Sequence, residues 1–300
     1  MHRRSFLYNA SFVTGISLLF QKSALASMIN PFEYKIKMLR GNVGIFTEKG
    51  GTIGFLLSPD GTVVIDSQFE DTAPHLIAEV QKRNAAPLKY LLNTHHHGDH
   101  TGGNIAFKGL VEHVAAHKNS LANQKAVAEK AAKVDKQLYP DQTFDKDWKL
   151  KMGKEKITGH YFGAGHTNGD AVYHFEEANV MHVGDLMFNK RHPFVDRSAG
   201  ANMHSWIDVL GKIQKQGNSE TIYIFGHSLN EGEETGSAED LKKFADYLSK
   251  MLSFAEAEFK KGVSKQDFIK NTSIPGVTEW TGGGIERPLT AAYEEVSAKE

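Results

Sequence analysis

Apolar and polar residues alternate in short runs over the first half of the chain and change to a helical period in the last quarter. Tyr34–Leu39, Val43–Thr47 and Thr52–Ser58 read as strands, the last two joined at Lys49-Gly50-Gly51. Asp60-Gly61 marks a turn, and Thr62–Ile65 resumes as a buried strand ending at Asp66. Thr72–Arg83 places Leu76, Ile77 and Val80 on one face, which predicts an amphipathic helix. Tyr90–Leu92 is another apolar strand. A long helix is expected over 120–138, and 138–162 alternates and turns like a set of strands. Ala171–Phe175 and Val180–Val183 predict a hairpin. Trp206–Gln214 predicts a helix striped by Trp206, Val209, Leu210 and Ile213, and Thr221–Phe225 reads as the last buried strand. Ser237 with Asp240 resembles a capping box. Leu241, Phe244, Leu248, Met251, Leu252, Ala255 and Phe259 then recur at helical spacing until Gly262 stops the helix, and this stripe reads as packing against the body. Strands, a helix, more strands and a final helix imply a layered α/β architecture of the αββα type.

The first residues read differently. Paired Arg3 and Arg4, a weakly apolar stretch and Ala24-Leu25-Ala26 make the pattern of an export signal over 1–26, of the twin-arginine kind used for folded proteins. The mature domain is then 27–300, with 237–300 mostly helical, and the expected location is the periplasm or another exported compartment. An uncleaved anchor helix is the other reading of the same segment. Elsewhere no apolar run reaches the roughly 18 residues of a spanning helix. The chain of 300 residues carries a net charge of −1, and the part from Ser27 onward has 32 basic against 36 acidic residues, or −4. Neither value suggests nucleic acid or a membrane surface as a partner. There are no cysteines, which excludes disulfides, thiolate metal ligands and cysteine nucleophiles.

Any metal site must therefore use imidazole and carboxylate. "LLNTHHHGDHTGGN" (91–104) supplies both directly after an apolar strand. If extended geometry continues into the turn, His95 and His97 point one way and His96 the other. Gly98 permits a sharp turn, after which Asp99 and His100 approach the same cavity. These are zinc-type donors. Three later residues have the same setting, a strand end beside glycine: His166 in "GAGHTNGD", Asp185 in "VMHVGDLMF" and His227 in "IYIFGHS". Asp66, also at a strand end, reads as a cap. His182 reads as a satisfied sheet histidine. The polar loop "NKRHPFVDRSAG" (189–200) offers Arg191, His192 and Arg197 as substrate contacts, and Gly50-Gly51 predicts a short mobile hairpin at the rim.

Together, "THHHGDHTGG" with its HxHxDH signature, "GHTNGD", "VGDLMF" and "FGH" resemble the metallo-β-lactamase superfamily over Gly41 to His227. The resemblance implies a four-layer αβ/βα sandwich with the metals at one edge, here followed by a C-terminal helical segment. It implies two Zn2+ per chain: the first held by His95, His97 and His166, the second by Asp99, His100 and His227. Asp185 would bridge them, opposite a bridging hydroxide, and the resemblance gives Asp66 a second reading beside the cap, a hydrogen-bond acceptor that orients the ligand loop. Such a centre is expected to hydrolyse a small carbonyl substrate, an amide, lactam, lactone or ester, with Asp99 as the catalytic proton donor. The chain departs from lactamases that place cysteine at the second zinc, and those using histidine there lack the bridging aspartate. "THHHGDHTGGN" is close to the glyoxalase II wording, yet 237–300 lacks an evident basic glutathione-binding pattern. β-Lactamase-like hydrolysis leads. A glyoxalase II-like thioesterase or a lactonase is the alternative, followed by a di-iron redox protein or a metal-stabilised binding protein.

Overall fold

The computed structural model describes residues 33–298; the expected export signal at 1–26 lies outside them. Two sheets form the centre. The first runs in chain order from Lys35–Arg40 (β1), Val43–Thr47 (β2), Ile53–Ser58 (β3) and Gly61–Ile65 (β4) to Leu88–Asn93 (β5), His113–His117 (β6) and Gln142–Phe144 (β7). Its first half is antiparallel, whereas β4 to β7 are parallel. Parallel neighbours need a crossover. Ala73–Arg83 (α1), the single turn Gly98–Thr101 (α2) and Lys118–Lys130 (α3) lie in those crossovers.

The second sheet holds Asp147–Met152 (β8), Glu155–His160 (β9), Val172–Phe175 (β10), Val180–Asn189 (β11), Ile222–Ser228 (β12) and Thr235–Gly236 (β13), ordered β13-β12-β11-β10-β9-β8. Met203–Gln216 (α4) connects the parallel pair β11 and β12. Ala238–Lys260 (α5), Lys265–Phe268 (α6) and Glu286–Ser297 (α7) complete the chain.

Alternation along the strands sorts side chains into three cores. Val63 and Ile65 of β4 meet Tyr173, Val180 and Ile224 between the sheets. Val64 points the other way, onto Leu76 and Val80 of α1. Met181, Val183 and Phe225 face outward from the second sheet onto Trp206 of α4 and Phe244 of α5. Both sheets are thus covered on both faces, which is why their central strands read as unbroken apolar runs. The layer order is helix, sheet, sheet, helix, as expected.

Several boundaries differ from the sequence reading. Strand β6 was not expected: "HVAAH" has neither β-branched density nor alternation. The helix expected over 120–138 runs from Lys118 to Lys130, and only a 3-10 turn at Val134–Lys136 follows. Strands β11 and β12 run beyond Val183 and Phe225, so Asp185 and His227 lie inside strands rather than after them. The short β13 follows β12, which is therefore not the last strand. The box of Ser237 and Asp240 opens α5, as read.

Candidate metal centre

The donor residues gather where the first sheet's parallel strands end and the second sheet bends. Asp66, just past β4, has φ of 65°, a conformation costly for a non-glycine residue. It is held there by bonds that place its carboxylate: Oδ1 accepts from the Thr94 amide (2.8 Å), and Oδ2 from the Thr94 hydroxyl (2.7 Å). His97 is the N-cap of α2, so the chain turns sharply and returns Asp99 and His100 to the same space. Strand β11 loses register on either side of Gly184, a bulge that re-aims Asp185. Gly184 has φ of +52°, and a Cβ there would lie 2.7 Å from Thr94. At Gly226 a Cβ would lie 2.0 Å from Asp185 Oδ1, so only glycine lets β12 approach this closely.

Each imidazole of the first set bonds outward to oxygen. Thr94 Oγ1 gives its proton to Asp66, so at 3.0 Å it accepts from His95 Nδ1. His97 Nε2 donates to Asp196 Oδ2 (2.9 Å), and His166 Nδ1 to the Phe194 carbonyl (2.7 Å). These partners assign the tautomers. They leave lone pairs on His95 Nε2, His97 Nδ1 and His166 Nε2. Those three atoms converge, with His97 Nδ1 3.1 Å from His95 Nε2 and 2.9 Å from His166 Nε2. Asp185 Oδ2 closes the set at 3.4 Å from His166 Nε2 and 3.8 Å from His95 Nε2. Tetrahedral zinc with bonds of about 2.0–2.1 Å separates its ligands by roughly 3.3 Å. Buried lone pairs facing one another without a cation are costly, so the residues fit the ion.

The second set lies alongside. His100 donates from Nδ1 to Asp66 Oδ2 (2.7 Å) and turns Nε2 to within 2.9 Å of Asp185 Oδ1. His227 Nε2 is 3.1 Å from Asp99 Oδ2 and 3.4 Å from Asp185 Oδ2. Both sets are groups able to hold a metal ion, and Asp185 reaches into each.

Electrostatics separates the sets. Burial pushes His166 down to about 3 and holds His95 well below its usual value, so both are neutral ligands at neutral pH. Burial also opposes charge on His100, but the Asp185 and Asp66 carboxylates outweigh it and raise its pKa well above 6.5. Burial favours protonation of Asp185 and Asp99 too. The histidines overcome that, holding Asp185 far below the carboxylate range and Asp99 at about 2.

Two expectations follow. A cation entering the second set must displace protons from His100 and His227, both held by neighbouring carboxylates, so its affinity should rise with pH, by about tenfold per unit for each proton displaced. Without metal the sign reverses. A raised histidine pKa contributes stability that is complete below the unfolded value of 6.5 and is lost as pH rises through the folded value. Competition titrations against a chelator, with melts of the metal-free protein from mildly acidic to mildly alkaline pH, check both signs. Separately, Asp66→Asn should weaken metal binding at the second set about 10- to 100-fold, because His100 loses the acceptor that orients it. Metal per chain at limiting metal concentration measures this; unchanged occupancy would rule it out.

The other site residues separate clearly. His96 is buried, its ring 4.4 Å from that of His97 and its Nε2 3.6 Å from Asp196 Oδ2. His182 accepts from the Gly184 amide and bonds the Thr52 carbonyl, a satisfied sheet histidine. Arg191 and His192 border a cavity of about 390 Å³ over the donors, with His192 Nδ1 also bonded to Tyr247 Oη (2.9 Å). Arg197 instead pairs with Glu295 (3.1 Å), which accounts for its charge in a structural role. Gly50 and Gly51 do border the donors, but as a turn tied down by Gly51 N to Asp99 O and by Gln68 Nε2 to Gly51 O. Sequence reasoning missed Asp196, which orients His97, and Arg287, Phe188 and Phe194, which line the cavity. Asp196 lies in the polar loop already singled out, but nothing local marks its partner, 99 positions away.

Comparison with known proteins agrees with this geometry. Residues 47–227 match the family model described as Metallo-beta-lactamase superfamily. A metallo-beta-lactamase type 2 from Elizabethkingia meningoseptica is 26% identical over 204 residues, 65% of this chain and 79% of that protein. A hydroxyacylglutathione hydrolase from Synechococcus sp. (strain JA-2-3B'a(2-13)) is 28% identical over 143 residues, 45% of this chain and 48% of that one. Among solved structures, a metallo-beta-lactamase from Pontibacter korlensis superposes with a TM-score of 0.61 at 18% identity, covering 72% of this chain and 99% of that one. That likeness concerns the fold.

Proposed function

The chain belongs to the metallo-beta-lactamase superfamily and is a metal-dependent hydrolase of it, and from that premise we propose a dinuclear zinc enzyme opening a small carbonyl substrate, β-lactams foremost. His95, His97 and His166 would hold one ion and Asp99, His100 and His227 the other, with Asp185 within reach of both sets. The observation that carries this is the convergence of three outward-bonded imidazoles on one point, with a single carboxylate reaching into both donor sets. Zinc, when bound, supplies Lewis acidity and a water ionised near neutral pH.

The chain's own residues do the rest. Asp66 and Asp196 fix two ligand rings through their outer nitrogens. Asp185 is buried, whereas the Asp99 side chain is 31% exposed toward the cavity, so Asp99, ionised at rest, is the carboxylate placed to take a proton from the attacking water and pass it to the leaving atom. Phe188, Pro193 and Phe194 give the cavity an apolar wall that limits water at the reacting carbonyl.

A thioester or lactone is the second reading. It is favoured by the Asp185 carboxylate between both sets, the feature in which the sequence resembles glyoxalase II. Export through the signal at 1–26, leaving 27–300 as the mature hydrolase, completes the proposal. Among the described residues no helix is long and apolar enough to cross a membrane. The test is a panel of a chromogenic cephalosporin, lactones, thioesters and phosphodiesters on zinc-loaded protein, with metal content and the size of the exported chain. Lactam turnover that vanishes on chelation and returns with zinc is expected. Two irons with a diferric absorption band would overturn the zinc assignment, and no hydrolysis of any carbonyl substrate would overturn the reaction.

A further inference from the structure

We infer that Glu295, near the end of helix α7, is a positioning residue of the metal centre: it anchors the loop whose Asp196 and Phe194 aim two ligand rings of the first donor set. This rests on that set holding a metal, and it is independent of which carbonyl compound is hydrolysed. Glu295 lies outside residues 47–227, the span that matches the family.

The loop 194–202 reaches two of the three histidines. The Phe194 carbonyl accepts from His166 Nδ1 (2.7 Å), and Asp196 Oδ2 accepts from His97 Nε2 (2.9 Å). Asp196 is fixed in turn. Its Oδ1 accepts from the Ala199 amide (3.1 Å), its own amide donates to the His166 carbonyl (3.3 Å), and its carbonyl accepts from the Ala201 amide (2.9 Å). These bonds run within the loop, or to His97 and the irregular segment around His166. A rigid element must still hold the loop in place.

Glu295 does this from α7. Its Oε2 accepts from Arg197 Nη1 (3.1 Å) and from the Met203 amide (2.8 Å). Its Oε1 accepts from the His204 amide (3.0 Å) and from His204 Nδ1 (2.6 Å). The same Arg197 nitrogen donates to the Ala201 carbonyl (3.1 Å). One carboxylate thus clamps the residue after Asp196 to the first turn of α4. Helix α4 has no acidic residue in its own first turn, so its free amides and the positive end of its dipole take their negative charge from α7. Helix α7 is itself seated in the core, where Leu289, Ala291 and Ala292 pack with Met203 and Trp206.

Glu295 is buried, and a buried carboxylate is costly unless its partners are complete. The four donors complete this one, so removing its charge strands Arg197 and two helix amides together. The loop then loosens, and with it the Asp196 carboxylate that sets the angle of the His97 ring. Loss of such an outer partner weakens metal binding about 10- to 100-fold. Glu295 acts one residue further out, so the lower end of that range is expected.

The test separates positioning from mere stability. Glu295→Gln keeps the side-chain volume and should weaken zinc binding about tenfold in a chelator competition. Leu289→Ala, a core substitution in the same helix, should lower Tm yet leave zinc affinity within about twofold when measured well below the melt. If Glu295 acts through Asp196, the two are not additive: in an Asp196→Asn background, Glu295→Gln should cost less than about twofold more. In the metal-free protein with isotope-labelled histidine, the His97 proton should sit on Nε2 in wild type and be shared between both nitrogens in Glu295→Gln. Unchanged zinc affinity in Glu295→Gln, an equal loss in Leu289→Ala, or additive losses with Asp196→Asn each overturn the positioning role. Should Glu295→Gln not fold, Arg197→Gln cuts the clamp at the loop while the α4 amides keep their acceptor; the same zinc loss is expected, and wild-type affinity there overturns the proposal. A wild type that holds no zinc at the first set, with the His97 proton still shifting in Glu295→Gln, would refute the metal reading and leave the anchor standing.

Discussion

Asp185→Asn should leave a folded protein holding at most one tightly bound metal, with kcat/KM lowered about a thousandfold or more, a loss of roughly 4 kcal/mol of transition-state stabilisation. The side chain keeps its volume, so the close approach of Gly226 is undisturbed. What changes is charge. Asp185 lies within 3.8 Å of His95, His100, His166 and His227 alike. An amide there cannot offset two divalent ions close together. His100 also loses one of the two carboxylates that raise its pKa. Metal analysis per chain with steady-state kinetics measures the effect. Retention of two metals with activity within tenfold of wild type would show that Asp185 does not join the sets.

The second large effect is on stability. Trp206→Ala should cost about 3–5 kcal/mol, because a large side chain at the centre of the helix-covered core leaves a cavity that cannot close. Trp206 is fully buried, and its indole donates to the Leu186 carbonyl at 3.0 Å, so the substitution also strands a buried acceptor next to Asp185. Its ring lies 5.7 Å from that of His166, which ties the core to the first donor set. A fall of roughly 10 °C in Tm is expected for a domain of this size. Weaker metal retention should accompany it. Melts with and without added zinc separate the two contributions; a variant with wild-type Tm would show that the α4 layer does not support the site.

Much of the centre was legible before folding was considered. His95, His97, Asp99 and His100 stand within six positions, and a turn that short cannot scatter its side chains. His166, Asp185 and His227 announced themselves by sharing a context, glycine beside an apolar run. Their exact setting was not legible. Asp185 sits within β11 because a bulge at Gly184, whose lost Cβ makes room for Thr94, extends the strand through it. Strand β6 was invisible because its residues carry no strand pattern and are held by neighbours on both sides.

The sequence by itself determined the layer order, through alternating apolar strands and striped helices, and the chemical kind of site, through seven imidazole and carboxylate donors and no thiol. Only the tertiary structure decided which nitrogen of each ring faces inward, since that depends on Asp66, Asp196 and the Phe194 carbonyl. It also decided that Arg197 is spent on Glu295 while Arg191 and Arg287 line the cavity. The division has one physical cause. Periodicity and donor type belong to a residue and its near neighbours along the chain, whereas tautomer, pairing and cavity lining depend on groups that the fold alone brings within a few ångströms.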